Sequence, residues 1–187
     1  GRTVRRRQDL PAEAFWTGQE LREMSQRLGD GFGLLFVALS YRWLSKEHPD
    51  PNGFHLSIVA AVLKLYLGEA GQAQARNSPL TAAFYAAGLD WKEAECAIFW
   101  DFGSLFQVPR TSEQEGLFKT GLKSSNVWYG HLQSVCWMQS ELPADFSSVA
   151  YELSGWCFVE AAISSAIKVG ANRLDLGKRT RKAMEYA

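Results

Sequence analysis

The chain has no excess of charge of either sign: 20 Lys and Arg face 20 Asp and Glu, for a formal net charge of zero. A protein that grips a phosphate backbone carries a surplus of basic side chains, so nucleic acid is not an expected partner. Histidine and cysteine are scarce, at three each. His48, His55 and His131 stand at no metal-ligand spacing with Cys96, Cys136 and Cys157, so no metal site is expected. Three cysteines set in apolar or aromatic runs cannot build a disulfide framework. They read as buried reduced thiols of an intracellular, cytoplasmic protein. No apolar stretch approaches the roughly 18 residues of a membrane span. The basic start GRTVRRRQDLP has no apolar segment behind it and does not read as a secretory signal.

What the chain does have is the material for a core. It is 47% hydrophobic and 13% aromatic over 187 residues, a size that buries roughly 70% of the unfolded surface. One domain is expected over residues 31–187, preceded by an N-terminal helical extension over 1–30. Three continuous apolar runs, LLFVALSY (34–41), CAIFWDF (96–102) and SVCWM (134–138), lack polar alternation. Such runs suit strands covered on both faces. Helix-period segments alternate with them. Phe15, Leu21, Met24 and Leu28 mark one over Ala12–Leu28, and Ile58, Val62, Leu65 and Tyr66 a second over His55–Leu67. A short helix is expected near Leu80–Ala87, and another over Phe118–Leu132 with Phe118, Leu122 and Trp128 or Tyr129 inward. The last, Tyr151–Lys168, offers Trp156, Val159, Ile163 and Ile167 as its core stripe. The alternation predicts an α/β fold of three layers: an open parallel sheet with helices on both faces and right-handed crossovers. VGANRLDLG (169–177) is the remaining strand candidate.

Open parallel sheets bind ligands beyond the carboxyl ends of their strands. The strand ends supply Ser40, Tyr41 and Arg42, then Asp101 and Ser104, then Gln139 and Ser140. A purely structural sheet shows the same switch to polar residues. Glu160 is the sharper signal. It lies one turn from Trp156, which is expected inward, and it has no basic partner at i+3 or i+4, only Ser164. An unpaired carboxylate on an apolar helix is costly unless it faces a polar cleft; the plain alternative is that it points to solvent. Plain readings also stand beside several neighbours. Asp101 can cap a loop through the Gly103 and Ser104 amides, Ser154 can be a helix N-cap, and Cys157, with no base near it, reads as an inert buried thiol. HPDPNGFH (48–55) reads as a rigid proline loop at the cleft rim rather than a metal site. The RRR (5–7) and KRTRK (178–182) clusters read as solvated surface, the second as helix.

Three blocks carry a family resemblance, in order: ALSYRW (38–43), IFWDFGSLFQ (98–107) and SGWCFVE (154–160). The first resembles the strand that opens Toll/interleukin-receptor (TIR) domains, and the last their Ser-x-Trp-Cys box with its following Glu. All three are similar to the heterokaryon-incompatibility (HET) family, a TIR-like relative. The departures are Trp43-Leu44 where HET domains usually have Trp-Gly, a long segment between Gly68 and Glu95, and few strands after Lys168. The resemblance implies a flavodoxin-like, TIR/HET-like domain over 31–187. It implies cleavage of the nicotinamide–ribose bond of NAD in immune, cell-death or stress signalling, with Glu160 catalytic. Nicotinamide leaves readily, and a carboxylate stabilises the oxocarbenium-like ribose. In that picture Arg42 pairs with the pyrophosphate, Tyr41 or Trp43 stacks on a base, and Asp101 holds ribose hydroxyls or orients Arg42. Ser40, Ser104 and Trp156 complete the substrate-binding set, Trp156 reading first as a core residue. NAD enters as substrate, with no further cofactor, and self-association is the expected partnership. Two alternatives stay open: a non-catalytic TIR-like self-association module, and a nucleoside deoxyribosyltransferase-like enzyme with a Glu nucleophile.

Overall fold

In the computed structural model, which describes residues 3–68 and 78–178, four parallel strands form one sheet. They are β1 (Phe36–Tyr41), β2 (Ala97–Phe99), β3 (Val135–Gln139) and β4 (Arg173–Asp175), in the order β2-β1-β3-β4. From β1 the chain moves to one edge, then back across β1 toward the other edge. Right-handed crossovers therefore place the first connection on one face of the sheet and the next two on the opposite face. The first carries α2 (Phe54–Tyr66) and α3 (Pro79–Ala86); the others carry α5 (Ser112–Gly130) and α6 (Gly155–Ile167). The result is the expected three-layer α/β fold. The direction of the connections reverses between β1 and β3, the kind of switch point beside which open parallel sheets bind ligands. The register sets Tyr41 beside Gln139 and Ser40 beside Met138, so the two tips are level.

Alternation along β1 sorts the core. Val37, Leu39 and Tyr41 join Ile58, Val59, Val62, Leu80 and Phe84 in the larger cluster on the α2 side. Ala38 joins Tyr129, Cys136, Met138, Tyr151 and Cys157 on the α5–α6 side. Ser40, two residues on from Ala38, shares that second face. The helices start on caps that the sequence encodes. Thr17 and Glu20 form a capping box ahead of α1 (Gly18–Leu28), and Thr111 with Gln114 does the same for α5. Such a cap contributes about 1 kcal/mol. The second box starts α5 well ahead of the expected Phe118, turning SEQEG into helix. α1 delivers Met24 and Leu28 to the larger cluster, so this part of the N-terminal extension belongs to the main core.

Three further differences from expectation have local causes. β1 begins at Phe36 because Gly29–Leu35 coils into a 3₁₀ turn, with Gly33 so close to Gln133 that an added Cβ would lie 2.2 Å from its Cβ. The second apolar run is strand only over 97–99. The Asp101 carboxylate takes the Phe102 amide and the Ser104 hydroxyl takes the Trp100 amide, closing the short helix α4 (Asp101–Ser104). The stripe expected to face inward on α6 is displaced. Trp156 is 52% exposed, Val159 and Ile167 are also exposed, and the buried positions are Cys157, Glu160 and Ser164. On α5 the inward residues are Ser125 and Tyr129, with Leu122 exposed. The strand expected in 169–177 is β4. Of KRTRK (178–182), all but Lys178 lies outside the described residues, as do residues 69–77. No described helix is long and apolar enough to cross a membrane.

Candidate functional site

The inward face of α6 is polar, and each buried polar group on it has a named partner. The Cys157 thiol donates to the Tyr41 carbonyl at 3.3 Å, and Ser164 donates to the Ala161 carbonyl at 3.0 Å while accepting from Arg173 Nε at 3.2 Å. Just past the helix end, Lys168 Nζ is held by the His131 and Ser134 carbonyls, each at 2.6 Å, and by the Ser134 hydroxyl at 2.8 Å. Glu160 is the exception in kind. It is 3% exposed, and its partner is a side chain of the sheet: Ser40 Oγ donates to its Oε2 at 2.6 Å. Ser40 Oγ also lies 2.7 Å from the Tyr151 hydroxyl. A serine has one proton to give, so donation to the carboxylate makes Ser40 the acceptor from Tyr151. The result is a directed chain, Tyr151 to Ser40 to Glu160. Burial pushes the Glu160 carboxyl up to about 7; hydrogen bonds from Ser40, Tyr129 and Trp156 oppose the rise, and the Asp101 charge adds to it.

Glu160 borders a cavity of about 350 Å³, walled by Trp156 and Tyr129 from the two helices, Trp43 and Asp101 from the strand ends, and Gln107 and Arg110 from the loop before α5. Asp101 is half-buried and accepts from the Tyr41 hydroxyl in a very short bond, from Trp43 Nε1 at 3.1 Å and from the Phe102 amide at 2.6 Å. Burial raises its carboxyl above the usual range, and these three donors hold it back. Asp101 thus orients Tyr41 and Trp43. It neither orients Arg42 nor takes the Gly103 and Ser104 amides, both of which bond to the Trp100 carbonyl.

The structure brings together Glu160, Ser40, Asp101, Tyr41, Trp43 and Trp156, and leaves four expected residues elsewhere: Arg42, Ser104, Gln139 and Ser140. Arg42 turns toward the 143–148 loop, with Nη2 3.5 Å from Ser148 Oγ, its guanidinium 6.0 Å from the Phe146 ring centroid, and a buried Nε without a partner. The guanidinium on the Glu160 cavity belongs instead to Arg110. It lies 3.5 Å over the Phe118 ring and donates to the Phe106 carbonyl at 2.6 Å and Glu115 at 3.2 Å. Ser104 lines a different, apolar cavity. Beyond β3, Gln139 is buried with its Nε2 on the Glu141 carbonyl and its Oε1 unpartnered, and Ser140 bonds Asp175 at 2.5 Å. Neither borders the Glu160 cavity.

Tyr129, Tyr151, Gln107 and Arg110 are the residues that sequence reasoning missed. For Arg110 a signal existed: the Thr111-x-x-Gln114 box places it just before the first turn of α5, at a helix mouth. The plain readings fare unevenly. Ser154 sits at the N-cap of α6 but makes no capping hydrogen bond. Cys157 is buried, and burial pushes its thiol up to about 11, which keeps it protonated. In the 48–55 loop, Asp50 caps α2 through the His55 and Leu56 amides at 3.0 and 2.8 Å. His48 takes the Asp50 amide on Nδ1, and His55 Nε2 donates to the Arg42 carbonyl. No group of three potential metal ligands occurs among the described residues.

No family model, no curated protein and no solved structure matches the chain. The functional reading therefore rests on the chemistry of this cavity. A buried carboxyl that titrates near neutrality, two indoles, a second carboxyl and a guanidinium suit a flat, electron-poor group beside a centre that develops positive charge.

Proposed function

We propose that the cavity hydrolyses the N-glycosidic bond of a nicotinamide nucleotide such as NAD. One observation carries the reading: Glu160, buried on a mostly apolar helix without a cation, ends the Tyr151–Ser40 chain and borders a cavity flanked by Trp43 and Trp156. The bond between ribose C1′ and the nicotinamide nitrogen breaks, its electron pair leaves with the nicotinamide, and the positive charge passes to the ribose. Glu160 as carboxylate stabilises that charge. Water then adds at C1′ and its proton goes to Glu160, whose affinity near neutrality suits a base. Trp43 and Trp156 offer flat surfaces for the nicotinamide, and Arg110 is the cation available to a phosphate. The thiols of Cys136 and Cys157, free and buried, support an intracellular setting. The resemblance of ALSYRW and SGWCFVE to TIR domains, and of these two blocks with IFWDFGSLFQ to HET domains, supports the same reading.

The test is nicotinamide release from NAD by concentrated protein, compared with Glu160→Gln. Electrostatic stabilisers of this kind contribute about 10²–10³-fold, so the variant should lose at least that much while keeping the wild-type circular-dichroism spectrum. Wild-type release from a folded Glu160→Gln protein would overturn the reading. A second reading, a self-association module, is favoured by the apolar outer surface near α6, where Leu153 is 77% and Phe158 62% exposed. Under it, Phe158→Asp would abolish oligomers in sedimentation while Glu160→Gln would leave them intact.

A further inference from the structure

β2 is an edge of the sheet, and a second cavity of about 480 Å³ lies between it, the N-terminal segment and α5. Its walls are apolar and aromatic, with Phe15, Trp16, Ile98, Leu105 and Trp128 prominent. The lining holds no aspartate or glutamate and a single charge, Arg7. Cys96, also in the wall, has its thiol pushed up to about 12 by burial and adds none.

Arg7 is held in an unusual way for a half-buried arginine. Its guanidinium lies 4.3 Å from the Phe15 ring centroid and 4.9 Å from that of Phe106. Two rings thus take the cation's π contacts, which use none of its five N–H donors. None of them donates to a protein acceptor, and no carboxylate pairs with them, among the described residues. Its neighbour Arg6 is engaged by Asp9 at 2.7 Å, and Arg110 by Glu115. The fold thus places one guanidinium, packed between two rings, at an apolar cavity with no protein group among the described residues to answer its N–H donors. A volume of about 300–1,000 Å³ with apolar walls and one placed polar group is the usual make-up of a small-molecule site.

We propose that this cavity binds an apolar monocarboxylate, its hydrocarbon part among Phe15, Trp16, Ile98 and Trp128 and its carboxylate bidentate on Arg7. A lone guanidinium matches the two oxygens of a carboxylate, and the apolar walls exclude a ligand charged at both ends. The site is separate from Glu160, although Phe99 and Leu105 stand in the wall of both cavities. The inference does not depend on NAD cleavage.

The experiment titrates the whole chain with decanoate and, separately, with decanamide, an equally long neutral chain, following heat and tryptophan fluorescence. Decanoate should bind at least about tenfold more tightly than decanamide, the scale of hydrogen bonds to a charged group. Arg7→Gln should remove that preference and leave decanamide binding unchanged. Ser124→Phe, made from an exposed position of α5 that lines the cavity, should weaken both ligands. Should Arg7→Gln disturb the N-terminal segment, Arg7→Lys decides the matter: it keeps the charge, loses the planar fork and should retain only part of the preference. Equal wild-type affinity for the two ligands, or a preference untouched in both Arg7 variants, overturns the proposal.

Discussion

The two faces of the sheet bury polar side chains in different ways. On the α2 face these groups serve the backbone. Asp50 caps two amides of α2, His55 bonds the Arg42 carbonyl, and the Tyr66 hydroxyl donates to the Leu34 carbonyl at 2.7 Å. On the α6 face Cys157, Ser164 and Lys168 also bond backbone carbonyls, but beside them Tyr151 bonds Ser40 and Ser40 bonds Glu160, and at the strand tips Tyr41 and Trp43 bond Asp101, side chain to side chain. A backbone partner is fixed by the fold, and its loss costs stability. A chain of side chains that ends at a cavity can shift protons and accept a ligand. The first kind of burial builds the scaffold, the second a site.

The sharpest way to break this contrast is to weigh the stability of Glu160 against pH. Its carboxyl titrates near 7 in the folded chain, against an ordinary value of 4.5. The folded state therefore holds the proton more tightly than the unfolded state. The stability conferred by the protonated acid is fully present below pH 4.5 and is lost as pH rises through about 7. The difference corresponds to about 3 kcal/mol. Glu160→Gln, which keeps an acceptor for Ser40 and carries no charge, should gain about that much on the wild type between pH 4 and pH 8 in urea unfolding. Nicotinamide release by the wild type should rise over the same interval, because the carboxylate is the working form. A flat stability difference would place Glu160 with the scaffold residues.

Asp50 is the counterpart on the scaffold face. It is fully buried, and both carboxylate oxygens cap α2. Asp50→Ala leaves the His55 and Leu56 amides without acceptors in a dry setting, at a cost of about 2–3 kcal/mol in urea unfolding. In protein that remains folded, the midpoint of the activity–pH profile should not move.

The uneven legibility of the sequence follows the same division. Continuous apolar runs announced the strands, because a strand covered on both faces has no polar alternation to confuse it with. Ser40, Asp101 and Glu160 were legible from strand-end position and from the absence of a cation beside the glutamate. The roll of α6 was not. Ranking by hydrophobicity turned Trp156 and Val159 inward, whereas Glu160, Ser164 and Lys168 are buried because partners on other elements satisfy them. Ser40 and Glu160 are 120 residues apart, and Ser40 and Tyr151 are 111 apart. No local pattern encodes such pairs. Arg42 stands at a strand tip, yet the turn after β1 carries it toward Ser148, and Arg110 reaches the cavity from the loop before α5.

The smallest expected effect is the most discriminating, since it compares two tyrosines of one chemistry. Tyr66→Phe removes a hydroxyl from a backbone carbonyl, and Tyr151→Phe removes one from Ser40. Each should cost about 1 kcal/mol of stability, the net worth of an ordinary hydrogen bond. Their consequences for chemistry should differ. Ser40 donates more strongly to Glu160 while Tyr151 donates to it, because hydrogen bonds in a chain polarise one another. Without Tyr151 the bond that opposes the rise of the Glu160 carboxyl weakens, so the activity–pH midpoint should move upward from about 7, with Tyr66→Phe leaving it in place. Equal midpoints in the two variants would show that Tyr151 is scaffold after all, and that the site begins at Ser40.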